Sequence, residues 1–119
     1  MKKIDSWTVE ALKNGVGVYS CDNTVVRVAP DGARTVELFG NKILYINCHG
    51  NLFFTLAGWN TVTTRARLNA ILHDYGIGIT SRGGVAYLCG HLKLDAGAWY
   101  KVYSYTDGNI EVVKTTRFD

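Results

Sequence analysis

The sequence predicts an α+β fold: a curled antiparallel sheet of about six to eight strands with one main helix packed on it. Three observations lead there. β-type runs recur between turn residues at intervals of about ten residues, the spacing of antiparallel strands. One stretch, 64–75, carries an apolar stripe with helical period. No internal repeat, low-complexity tract or linker rich in proline, glycine or serine divides the 119 residues, so 1–119 reads as a single domain.

Composition supports a folded, soluble domain. A chain of 119 residues, 47% hydrophobic with one proline, has enough apolar surface to offset its ordering entropy. With a formal charge of +3 and 19% charged residues it is no polycation, and an anionic partner stays open. Three cysteines and no leader-like segment point to a reducing compartment, and no apolar run approaches the roughly 18 residues that span a bilayer.

The elements follow in order. Asp5 or Ser6 is placed to cap a short first helix ending near Asn14-Gly15, although Trp7, Val9, Ala11 and Leu12 are irregularly spaced. Strands are expected over Val16 to Cys21 and Thr24 to Ala29, then past Pro30-Asp31-Gly32 over Ala33 to Phe39, with Gly40-Asn41 turning the chain back. Lys42 to Asn47 and Leu52 to Leu56 are almost continuously apolar, as strands covered on both faces are. Leu68, Ile71, Leu72 and Tyr75 recur at i, i+3, i+4 and i+7 to give the helix over 64–75, which Gly76 stops. Strands return over Ile77 to Ser81 and Val85 to Cys89, and the hairpin Ala98 to Tyr105 and Ile110 to Thr115 closes the pattern around Asp107-Gly108-Asn109.

The entry to the main helix, W-N-T-V-T-T-R-A-R-L-N, puts two arginines, Arg65 and Arg67, where the aligned peptide dipoles are already positive. Free N–H groups, the hydroxyls of Thr61, Thr63 and Thr64, and two guanidinium groups have the chemistry of a phosphate or carboxylate site. Arg82, at the tip of an R-G-G turn, joins that anion site if the tip folds toward Arg65. A plainer reading stands beside it: Thr63 or Thr64 caps the helix, Trp59 anchors the entry in the core, and the arginines flank the docked face and reach Glu37 or solvent.

L-A-G-W-N-T-V-T-T-R-A-R-L-N resembles a recurrent segment in small uncharacterised proteins of tailed bacteriophages, in which an apolar strand precedes A-G-W, a threonine cluster and R-L-N. The likeness covers about Ile43 to Leu72 and weakens toward the N-terminus. It implies a phage accessory protein acting inside a bacterial cell, in the host cytoplasm, of the sort that binds and disables host factors. It carries no catalytic residue to transfer.

Other constellations are weaker. Cys48-His49 and Cys89-Gly90-His91 hold zinc's preferred ligand types, but adjacent strand residues point to opposite faces and no C-x₂-C knuckle is present, so no metal is expected. Cys89 with His73 or His91 makes a Cys-His hydrolase conceivable, yet nothing singles that pairing out. The carboxylates are scattered. The aromatics stand out more: Tyr87, Tyr100, Tyr103 and Tyr105, with Trp99, read as a partner-binding patch or a stacking platform for bases, about half of them being needed for the core.

The expectation is therefore a non-enzymatic binding protein with no cofactor, which inhibits or redirects a host protein, for instance one used in defence. The first alternative is a phosphorylated ligand, a nucleotide or nucleic acid, held at the helix entry, and the second is a small hydrolase. An uncovered aromatic face would also suit a second subunit in a homo-oligomer.

Overall fold

The alternating and turn-punctuated runs form ten strands and two α-helices in the computed structural model, which describes residues 2–119. After α1 (Lys3–Ala11), five strands run as a meander: β1 (Gly17–Cys21), β2 (Thr24–Val28), β3 (Arg34–Leu38), β4 (Asn41–Ile46) and β5 (Leu52–Thr55). The chain then leaves the sheet for α2 (Val62–Leu72), a 3₁₀ turn (His73–Tyr75) and three short strands, β6 (Ile79–Arg82), β7 (Val85–Leu88) and β8 (Leu92–Lys93). It returns with β9 (Trp99–Ser104) and β10 (Ile110–Thr115).

The fold is α+β, with every strand pairing antiparallel. One sheet has seven strands in the order β1-β2-β3-β4-β5-β9-β10, and the other has the order β6-β7-β8. The closing hairpin thus completes the first sheet, because β9 pairs with β5 across the excursion. β8 is the one strand without a counterpart in the sequence reading: two exposed residues, Leu92 and Lys93, are too few to show a period.

α2 starts two residues earlier than the helix expected over 64–75. The cap is Thr61, whose hydroxyl accepts from the Thr64 N–H at 3.1 Å. The other end tightens into the 3₁₀ turn and stops at Gly76, whose φ of 72° suits a residue without Cβ. α2 lies on the inner face of the large sheet, where Leu68 and Leu72 join Val26, Val36, Leu44 and Phe54 in one fully buried core. Asn69 ties it to the small sheet: its amide accepts from the Ile79 N–H at 2.7 Å and donates to the Ile79 carbonyl at 2.9 Å, imitating a strand neighbour.

β4 and β5 are covered on both faces, as their apolar runs suggested. Leu52 and Phe54 face the helices. Phe53 points to the other side and is still fully buried, beneath Tyr45, Lys101 and Phe118.

Candidate functional site

The two arginines at the entry of α2 have different fates. Arg67 is 4% exposed. Its guanidinium donates to the Asp5 carboxylate in a buried ion pair, to the Thr24 hydroxyl at 3.1 Å and to the Asn23 side-chain oxygen at 3.4 Å. One side chain therefore joins α1, α2 and the start of β2. This corrects the placement of Arg67 in an outward anion site: it lies within the docked face of α2, its charge is answered from α1, and Glu37 pairs with Arg27 instead. A signal existed, because 64, 67, 68 and 71 continue the apolar stripe backwards at helical spacing. The counter-ion, 62 positions away, had none.

Arg65 is half-buried and donates to the Asn60 amide oxygen at 2.5 Å, a neutral acceptor. Asn60 in turn donates to the Ser81 hydroxyl at 3.2 Å and the Gly84 carbonyl at 3.1 Å, so the β6–β7 tip does fold toward Arg65. Arg82 itself lies over the Tyr87 ring at 4.4 Å. Thr61 and Thr64 are engaged with each other and with the helix cap, their hydroxyls 2.9 Å apart. The candidate anion site thus keeps Arg65, Arg82, Thr61 and Thr63, while Thr64, 3% exposed with its hydroxyl held by Thr61, is lost to it as Arg67 is.

On the other face of that entry lies a cleft of about 420 Å³. Leu38, Ile43 and Leu56, all nearly inaccessible, form its floor. Thr61, Thr63 and Thr64 form a wall, and Phe39 and Trp59 stand at the rim, 71% and 62% exposed. Backbone geometry holds both rims out. Phe39-Gly40 is the two-residue turn between β3 and β4, with φ of 51° and 81°, the left-handed pair that joins tight hairpins. Ala57-Gly58 repeats the pattern before Trp59, with φ of 54° and 83°. A phenylalanine in that conformation carries a steric cost that glycine or asparagine would avoid. Trp59 therefore does not anchor the core. Phe39 went unremarked in the sequence, where its cue was an aromatic in the first slot of an X-Gly hairpin turn, and Trp59 was expected in the core rather than at a rim.

The tyrosines do not form one patch. Tyr100 faces inward, 6% exposed, stacked on Phe54 at 5.6 Å with its hydroxyl accepting from the Asp95 N–H at 2.7 Å. Alternation along β9 requires this, since Trp99, Lys101 and Tyr103 then face outward. Tyr87 sits on the small sheet beneath Arg82. Tyr103 and Tyr105 stay together on the surface with ring centroids 6.4 Å apart, and Lys101 Nζ lies 4.6 Å from the Tyr103 ring. The Tyr105 phenol donates to Glu111 at 3.1 Å, which with lesser effects holds its pKa above the usual tyrosine range.

Among the described residues, no three of the histidines, cysteines, aspartates and glutamates come together as metal ligands would, and Cys21, Cys48 and Cys89 are free thiols. No helix among them is long and apolar enough to cross a membrane.

Fold and cleft together define an α+β domain whose accessible features are apolar recesses and aromatic rims. A family model described as Kyanoviridae Gp96 protein matches residues 1–111, and the chain belongs to that phage protein family. This bears out the phage part of the resemblance. No curated protein and no solved structure matches the chain.

Proposed function

We propose that this phage protein is a non-enzymatic accessory protein that acts by binding in the host cytoplasm, inhibiting or redirecting a host protein, in particular one used in defence. The observation that carries the reading is the cleft at the entry of α2. Two large aromatic side chains stand in water above an apolar floor, Phe39 itself left-handed and Trp59 directly after the left-handed pair Ala57-Gly58. Exposed rim aromatics of this kind gain by leaving water when a partner covers them, and each such anchor is worth about 2 kcal/mol or more in a protein interface.

The test is co-purification of tagged chain from infected host cells, followed by the double substitution Phe39→Ser and Trp59→Ser. A stoichiometric host protein should accompany the unaltered chain. The double variant should bind it at least a hundredfold more weakly, roughly 3 kcal/mol. Recovery of no stoichiometric partner, or a partner held equally by the double variant, overturns the reading.

A second reading keeps one observation of its own: Arg65 meets a neutral amide and forms no ion pair among the described residues. A nucleotide or nucleic acid held at Arg65, Arg82, Thr61 and Thr63 would then lose binding in Arg65→Ala, with a shallower dependence on salt. Binding unchanged by that substitution removes the site.

A further inference from the structure

The outer face of the large sheet has no helix on it, yet Phe53, at its centre, is fully buried. What covers it is Tyr45, Lys101 and the ring of Phe118, which residues 116–119 carry back over the sheet after β10. The Phe118 ring sits 5.3 Å from Phe53, 5.1 Å from Trp99 and 6.1 Å from Tyr45, edge-on to the last two. Its main chain is received as specifically as its ring. The Phe118 carbonyl accepts from Asn47 Nδ2 at 3.2 Å, and the Asp119 main-chain oxygen accepts from Lys101 Nζ at 3.0 Å and from Asn51 Nδ2 at 3.4 Å.

Asn47 is fixed by its own turn, independently of the segment it receives. It is 5% exposed, and its side-chain oxygen is engaged by the N–H groups of His49 and Asn51 at 3.0 and 2.9 Å. Those two bonds set the amide so that the NH₂ is aimed at the seat, where a buried donor without an acceptor would be costly. The hollow does not end at Phe118: about 490 Å³ lies between Lys42, Tyr45, Trp99 and that ring. Every receiving residue lies within the family-matched part of the chain, residues 1–111, and the occupying segment lies beyond it.

We propose that this face is a docking seat for an extended segment of a partner protein that presents a phenyl ring followed by free main-chain carbonyls, and that residues 116–119 occupy it as an internal latch. The latch shows the chemistry the seat accepts: a ring among Tyr45, Phe53 and Trp99, and carbonyls on Asn47, Asn51 and Lys101. It is also easily displaced, because Phe118 remains 39% exposed and the segment is held by a few bonds at the surface. A competing segment gains the same contacts and can extend into the hollow. The seat is separate from the cleft at α2, and the proposal does not rest on the function assigned to that cleft.

The test uses the full chain and an amidated peptide of residues 115–119, T-T-R-F-D, titrated by NMR. Phe118→Ala should bind the peptide saturably, shifting the resonances of Tyr45, Asn47 and Trp99, and about fivefold more tightly than the unaltered chain, whose latch competes. A peptide with alanine in place of phenylalanine should bind neither. Should the variant fail to fold by circular dichroism, the unaltered chain labelled with fluorine on the ring at position 118 supplies the same answer. Excess peptide should then move that signal to the position of a solvated ring. Equal binding by both chains, binding that ignores the phenyl ring, or a fluorine signal that does not move overturns the proposal. So does concentration-dependent dimerisation lost in Phe118→Ala, which would assign the seat to a second copy of the chain.

Discussion

The two faces of the seven-stranded sheet are closed by different means. The inner face is sealed by α2 and α1, two helices with their own hydrogen bonds, and is locked at one corner by the buried Arg67–Asp5 pair. The outer face is closed over Phe53 by single side chains and a four-residue segment, with Phe118 as the keystone. Both leave a phenylalanine fully buried, Phe54 inside and Phe53 outside. The difference lies in how far the surroundings can move. A packed helix cannot follow a deleted ring, whereas a short segment can settle into the space, and the cost of a cavity depends on that freedom.

The largest effect expected from this contrast is at the inner corner. Asp5→Ala leaves a buried guanidinium without its carboxylate and should destabilise the protein by about 3–5 kcal/mol in urea unfolding. Joining it with Arg67→Met should restore much of that loss. A cost near zero for Asp5→Ala would show the corner to be wet, and the contrast between faces would fail there. Next come the two phenylalanines. Phe54→Ala should cost about 3–5 kcal/mol, and Phe53→Ala should fall at or below the lower end of that range because residues 116–119 can collapse into the gap. Equal costs would mean that the outer cover is as rigid as a helix. Phe118→Ala, which removes a partly exposed ring, should cost about 1 kcal/mol.

A smaller change of opposite sign is expected at the cleft. Phe39→Asn installs Asn-Gly in the tight turn and should raise stability by up to about 1 kcal/mol, while weakening any partner that uses the rim. Stability that falls instead would show that Phe39 contributes to the fold rather than to recognition. The smallest effect lies at the outer strands' edge. Asp95 has its pKa lowered, first by the hydrogen bond from the Gly97 N–H and then by Lys114 at 3.2 Å. A depressed folded-state pKa stabilises the protein above the ordinary carboxylate value and ceases to do so as pH falls through the depressed one. Asp95→Asn should therefore lower the melting temperature slightly at neutral pH and leave it unchanged once the pH has fallen below the depressed folded-state value. An equal loss at both pH values would assign the effect to packing.

How much of this was legible in the chain depends on how local the cause was. β2 to β5, the closing hairpin and α2 follow from alternation, turn residues and a stripe at 68, 71, 72 and 75, all within a few residues of one another. α1 was hard to see because its buried face is Asp5, Thr8 and Ala11: an acid that serves as counter-ion does not register as hydrophobic period. The anion site at α2 was read from charge near a helix end, which identifies a cation but not its partner. Tyr100 and Trp99 were separable in principle by alternation alone, once one of them could be assigned to the core.

By itself the sequence determined the class of fold, the strands along the chain apart from β8, the main helix and a phage origin. These rest on local periodicity, turn chemistry and residue order. Only the tertiary structure decided which arginine is buried, which aromatics face water, and that residues 116–119 close the outer face. Each of those outcomes is a contact between residues distant in sequence, and burial or pairing across such distances belongs to the packed molecule, where a charge or a ring takes its meaning from what lies against it.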